Sequence, residues 1–134
     1  MKLYVDASAL VKLCLSEPES DQARKLLTSD PAWISAAHTV VEVRRALQRA
    51  LPESRLRAER DTFATDWITV DVVDLDDKTC ARGAEIAELT GVKTLDALHL
   101  AAADRADADQ LTFVTFDRRQ ADAARSLGWT VAGA

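Results

Sequence analysis

Leu3-Tyr4-Val5-Asp6-Ala7-Ser8-Ala9-Leu10-Val11 is a short apolar run, then a carboxylate, then small residues, then a helical pattern. Leu3 to Val5 is too short for a helix and carries the β-favouring Tyr and Val, so it reads as a buried strand. Asp6 then stands at the carboxyl end of that strand. Ser8 is the expected N-cap of a helix through Leu10, Val11, Leu13 and Cys14. Open parallel sheets bind ligands just beyond the carboxyl ends of their strands, so Asp6 is the seed of an acidic site.

Outward from this stretch, strands and helices alternate. Ser20 or Asp21 can cap a helix through Ala23, Leu26 and Leu27, and Asp30-Pro31 is a turn. Ala32–Ser35 is the second strand, followed by a helix over about Ala37 to Ala50. Leu51-Pro52-Glu53-Ser54 separates it from a helix through Leu56, Phe63 and Trp67. Ile68–Val73, rich in β-branched residues, is the third strand. Asp76 or Asp77 caps a helix over Thr79 to Leu89 that Thr90-Gly91 ends. Thr94 caps an alanine-dense helix to about Arg105. Leu111–Thr115 is the fourth strand, Arg118–Leu127 a helix with Gly128 as its stop, and Trp129–Val131 the last strand. This predicts one α/β domain over residues 1–134: three α/β/α layers around a mainly parallel five-stranded sheet.

The 134 residues are 48% apolar, which suits a globular chain and excludes a disordered tail. No run approaches the roughly 20 apolar residues of a membrane span, and no signal-peptide pattern opens the chain, so the expectation is a cytoplasmic protein without a membrane partner. Cys14 and Cys80 lack metal-type spacing and fall in apolar helical patterns, where small buried hydrophobes are expected. The net charge of −5 argues against a general nucleic-acid coat. Yet Arg44, Arg45, Arg49, Arg55, Arg57 and Arg60 face only Glu53 and Glu59 within their window, a net +4 that leaves −9 for the remainder.

Four acids fit a solvated surface poorly. Asp6 ends the first strand. Glu42 lies between Val41 and Val43 in the helix after the second. Asp96 is in the first turn of its helix, where the helix dipole favours a carboxylate, and Asp117 follows the fourth strand. Capping alone accounts for Asp96 or Asp117 taken singly, and solvation for Glu42. Asp6 resists such a reading, because acids are depleted beside buried parallel strands. Clustered carboxylates stay ionised together when a cation neutralises them, and all-oxygen ligands suit Mg²⁺ or Mn²⁺ rather than zinc. There is no Cys/His zinc set, nucleophile elbow or glycine-rich phosphate loop.

The segments Tyr4–Val11, Glu42 in its apolar helix, Thr94-Leu95-Asp96-Ala97-Leu98-His99-Leu100-Ala101-Ala102-Ala103 and Val114–Asp117 together resemble a PIN domain, and more narrowly the VapC-type toxins of bacterial toxin–antitoxin pairs. The resemblance spans essentially the whole chain, including the Leu127–Val131 ending. It implies a Mg²⁺- or Mn²⁺-dependent endoribonuclease acting on RNA, held inactive by a cognate antitoxin and usually a homodimer. By matching position, Asp6, Glu42, Asp96 and Asp117 would be the catalytic quartet. Asp6, Asp96 and Asp117 would hold metal, while Glu42 would take a second ion or position the attacking water. Ser8 and Thr115 match supporting hydroxyl positions. Ala7 stands where many relatives carry Thr, but Ser8 is kept.

Other residues admit two readings. His99 shares a helix face with Asp96 and either packs or touches the site; His38, four residues before Glu42, is read the same way. Arg44, Arg45 and Arg49 are either a solvated face or contacts to RNA or antitoxin. Trp33, Trp67 and Trp129 suit core or dimer packing, and Asp74, Asp76 and Asp77 a helix cap. The rival functions are a structure-specific DNA nuclease and a non-catalytic PIN-like binding module. A phosphatase or receiver-type site would need acids where Ser8 or Val5 stands.

Overall fold

The computed structural model describes residues 2–134. Strands β1 (Lys2–Val5), β2 (Trp33–Ala36), β3 (Asp71–Val73), β4 (Leu111–Thr115) and β5 (Thr130–Gly133) form one sheet in the order β3-β2-β1-β4-β5. All four pairings are parallel. The helices are α1 (Ala7–Cys14), α2 (Ser20–Thr28), α3 (Thr39–Ala50), α4 (Glu53–Trp67), α5 (Asp77–Thr90), α6 (Thr94–Arg105) and α7 (Arg118–Ser126).

Alternation along the strands divides the core between the two faces. Leu3, Val5 and Val114 pack with Leu10, Leu27, Val43, Leu47 and Phe63, from α1 to α4. Tyr4 and Phe113 point the other way, onto Ile86, Leu100, Ala102, Ala124 and Trp129. The three-layer α/β/α expectation is thus met. The alanines of α6 matter here: Ala101, Ala102 and Ala103 are fully buried and leave room for α5, whose Gly83 lies where a Cβ would sit 3.2 Å from Leu98.

The chain starts at the centre of the sheet and builds outward through β2 to β3. It then returns over α5 and α6 to add β4 on the other side of β1. The strand order reverses between β1 and β4, the place where such sheets open a crevice at their carboxyl edge. There the Asp6 N–H donates to the Val114 carbonyl at 3.3 Å.

Several boundaries differ from expectation. Asp6, not Ser8, is the N-cap of α1, its Oδ1 accepting from the Ala9 N–H at 3.1 Å. Lys93 precedes α6, whose first residue is Thr94. Glu19 precedes α2, and the Ser20 hydroxyl instead donates to the Leu15 carbonyl. The third strand shrinks to Asp71–Val73, because the Thr69 and Val70 N–H groups donate back to Asp66 and Trp67 and close a turn. Ile68, expected in that strand, is 82% exposed. The last strand begins at Thr130, leaving Trp129 buried just before it. Cys14 is buried as expected, but Cys80 is exposed. Asp76 caps α5 through the Thr79 N–H and pairs with Arg105, while Gly91 ends that helix with φ +78°.

Candidate active site

The carboxyl edge beside the β1/β4 boundary is built from four elements. Asp6 is only 4% exposed, and its carboxylate takes three donors. Oδ1 accepts from the Ser8 hydroxyl at 2.6 Å and the Ala9 N–H at 3.1 Å, and Oδ2 from the Thr115 hydroxyl at 2.5 Å. The same hydroxyls accept in turn: Ser8 Oγ from the Phe116 N–H at 2.9 Å, Thr115 Oγ1 from the Asp117 N–H at 3.1 Å. Ser8 and Thr115 therefore bolt the β4–α7 turn onto the end of β1. Burial pushes the Asp6 carboxyl above the usual aspartate range, opposed by the nearby His99 and by hydrogen bonds from Ser8, Thr115 and Ala9.

Asp117 caps α7, its Oδ1 accepting from the Arg119 N–H at 2.9 Å and the Gln120 N–H at 3.2 Å. Asp96 is half-buried in the first turn of α6. Its carboxyl is pushed up first by burial, then by the charge of Asp117, with Asp6 and Glu42 adding to the effect and His99 opposing it. The fold thus brings all four sequence-predicted acids into one electrostatic neighbourhood. Asp96 and Asp117 line a cleft of about 560 Å³ with Lys93, Arg119 and Asp122. Asp117 also lines a second cleft, of about 410 Å³, with Ser8, Lys12, Glu17, Glu42 and Phe116.

Glu42 sits differently from the aspartates. Its Oε1 lies 2.6 Å from His99 Nε2 and 3.4 Å from His38 Nε2. His99 is 1% exposed, and its Nδ1 is 2.8 Å from the Tyr4 hydroxyl. His38 Nε2 donates to the Leu95 carbonyl at 3.2 Å, tying the start of α3 to the first turn of α6. Burial and the nearby His99 hold His38 below the ordinary imidazole range, against the pull of Glu42 and Leu95. The ligand atoms of His38, Glu42 and His99 all lie within 4.8 Å of one another.

Three of these neighbours were hidden in the sequence or read there chiefly as packing. His38 and Glu42 are four apart on one helix, so that pairing could be anticipated, whereas the spacing of His99 from Asp96 gives only a shared face and the bond of His99 to Glu42 spans 57 residues. Tyr4 could not, because its partner is 95 residues away. The arginine strip stands apart from the hydrogen bonds just described: Arg44, Arg45 and Arg49 are exposed, and Arg44 lines a cleft with Arg60, Asp61 and Trp67.

Residues 3–126 match the family model described as PIN domain. The chain is 40% identical over 131 residues to "Ribonuclease VapC46" of Mycobacterium tuberculosis, covering 96% of this chain and 95% of that protein. It is 32% identical over 132 residues to "Ribonuclease VapC47" of the same species, covering 97% and 95%. Among solved structures, FitAcB from Neisseria gonorrhoeae superposes with a TM-score of 0.76 at 19% identity, over 98% and 96% of the two chains. DNA-bound VapBC from Salmonella typhimurium superposes with 0.68 at 22%, over 99% and 98%. Sheet order, acidic edge and sequence agree, and the chain belongs to the PIN-domain family, among its VapC ribonucleases.

Proposed function

We propose that this chain, acting as one domain, is the Mg²⁺- or Mn²⁺-dependent endoribonuclease toxin of a toxin–antitoxin pair. The observation that carries the reading is the setting of Asp96. Its carboxyl meets the charges of Asp117, Asp6 and Glu42, the four acids coming from separate parts of the chain, and a cation relieves that repulsion. The donor set fits a hard ion, since the aspartates offer only oxygen. Asp6, Asp96 and Asp117 would hold it, and a bound Mg²⁺ or Mn²⁺ activates water and offsets charge on a phosphodiester. Ser8 and Thr115 keep the Asp6 carboxylate fixed, and Glu42 positions the attacking water. The P–O bond to the leaving ribose oxygen breaks as the new bond to water oxygen forms, with no covalent enzyme intermediate.

The relatives named as ribonucleases support RNA as substrate. The solved neighbours include a toxin–antitoxin complex from Klebsiella pneumoniae, which supports an antitoxin as partner, and inhibition by it in the cytoplasm is part of the proposal. Arg44, Arg45 and Arg49 are the proposed phosphate or antitoxin contacts, and a homodimer is the proposed assembly. No helix among the described residues is long and apolar enough to cross a membrane.

The test is cleavage of total cellular RNA by the purified protein with Mg²⁺, Mn²⁺ or EDTA, beside Asp96→Asn. Discrete fragments that need metal and vanish in the variant are expected. Equal cleavage of a matched DNA oligonucleotide would favour the DNA nuclease. Absence of both cleavage and metal binding would leave the binding module.

A further inference from the structure

Glu42 is the acid of the quartet that reaches the site from α3, and the geometry around it is unlike that of the others. Asp6 is held by hydroxyls and a backbone N–H; Glu42 is held by an imidazole, itself held by a phenol. We propose that Tyr4 and His99 form a fixed hydrogen-bonded chain that positions Glu42, making His99 a positioning residue for the nuclease reaction. The inference rests on the function proposed above.

The proton arrangement follows from the partners. Tyr4 is fully buried, and its phenol, which ordinarily ionises only at about pH 10, carries its proton at neutral pH. The Ser35 hydroxyl gives its proton to the Val5 carbonyl at 2.6 Å, and the Tyr4 oxygen lies 2.8 Å from His99 Nδ1, so the phenol O–H points at that nitrogen. Nδ1 accepts, so the imidazole proton stands on Nε2 and is donated to Glu42 Oε1 at 2.6 Å. A second tautomer would leave Glu42 Oε1 facing a lone pair. The phenol is itself immobile, stacked at 5.0 Å on Phe113 in the adjacent strand.

The same three residues could be taken for a His₂Glu metal site, but the distances favour hydrogen bonding. Two ligands bound at about 2.0–2.1 Å on a tetrahedral ion stand roughly 3.3 Å apart. Glu42 Oε1 and His99 Nε2 are 2.6 Å apart, and the His38 Nε2 proton is engaged with Leu95. With Oε1 fixed, Oε2 is the oxygen left for water. Partners of this kind typically change activity by about 10- to 100-fold when removed.

The first readout needs no substrate. Long-range ¹H–¹⁵N spectra should show His99 as the Nε2–H tautomer, with that signature lost or mixed in Tyr4→Phe. The second uses a labelled single-stranded RNA oligonucleotide spanning a site that the wild type cuts in total RNA. His99→Leu should lower kcat about 10- to 100-fold with KM within about twofold, and His99→Gln, which returns a donor near Nε2, should recover much of it. Adding His99→Leu to Glu42→Gln should cost less than about twofold more, since the residue acts through Glu42. The proposal is overturned by an Nδ1–H tautomer, by full additivity in the double variant, or by a Zn²⁺ site in calorimetry that His38→Ala removes. If the wild type cuts no RNA while the tautomer pattern holds, the nuclease reading fails and the hydrogen-bonded chain stands.

Discussion

Replacing Thr115 by Val keeps the side-chain shape and deletes one hydroxyl with two duties. That hydroxyl donates to Asp6 Oδ2 at 2.5 Å and accepts from the Asp117 N–H at 3.1 Å. A hydrogen bond to a charged group contributes about 1.5–3 kcal/mol, and a buried carboxylate deprived of one of three donors falls in the upper part of that range. Asp117 is exposed, so its N–H can turn to water and adds little. The expected loss is about 2–3 kcal/mol. At about 2.1 cal/mol/K per residue, this chain unfolds with roughly 0.28 kcal/mol/K, so Tm should fall by roughly 7–11 °C.

The pH dependence sharpens the test. The Thr115 bond favours the ionised Asp6, so removing it raises the folded pKa further above the unfolded value. The deficit is therefore full above both folded values and shrinks as pH falls through them. Urea unfolding in EDTA near neutrality and near pH 4 measures it. A variant within about 0.5 kcal/mol of wild type at neutral pH, or a deficit that grows on acidification, would refute the account of how Asp6 is held.

Gly133→Ala should be among the most damaging single-methyl changes, because φ is +110° and the new Cβ would lie 2.2 Å from the Thr115 carbonyl oxygen. A loss above about 3 kcal/mol in urea unfolding is expected, and near-wild-type stability would show that the β4–β5 edge adapts. Asp96→Asn should abolish cleavage yet stabilise the metal-free protein, since it removes a charge that burial and Asp117 disfavour. A gain of about 1 kcal/mol is the usual size of such a change, and a loss in EDTA would refute the repulsion argument. The two cysteines should separate in thiol titration at mildly alkaline pH. Exposed Cys80 should react at once, while Cys14, pushed up to about 11 chiefly by burial, should wait for unfolding. Two thiols reacting together in the native protein would contradict the packing of α1.

The reach of the sequence was set by which signals are local. The stretch Leu3–Val11 announced a strand, an acid and a helix, and the topology brought Asp6, Glu42, Asp96 and Asp117 to one edge as their order implied. Ser8 looked like a cap because Ser is a good one; Asp6 is as good, two residues earlier, and its backbone leaves the strand there with ψ 177°. Ile68–Val73 looked like one strand because β-branched residues fit any pleated surface. What breaks it is the end of α4, whose Trp67 carbonyl is the acceptor for Val70. The hydrogen bonds of Tyr4 and His99 depend on two residues that meet only once β1 and α6 are packed, and no spacing rule reaches that far.

The return of the chain to β4 also bears on how the protein is made. Asp6 is made 109 residues before Thr115, whose hydroxyl helps to complete its surroundings. At about 5–20 residues per second, roughly 5–22 s pass between them, and only then does the central strand gain its second neighbour. Until then Asp6 lacks its Thr115 donor and Asp117 has no α7 to cap. The acidic edge is therefore assembled only once β4 and the first turn of α7 have been made.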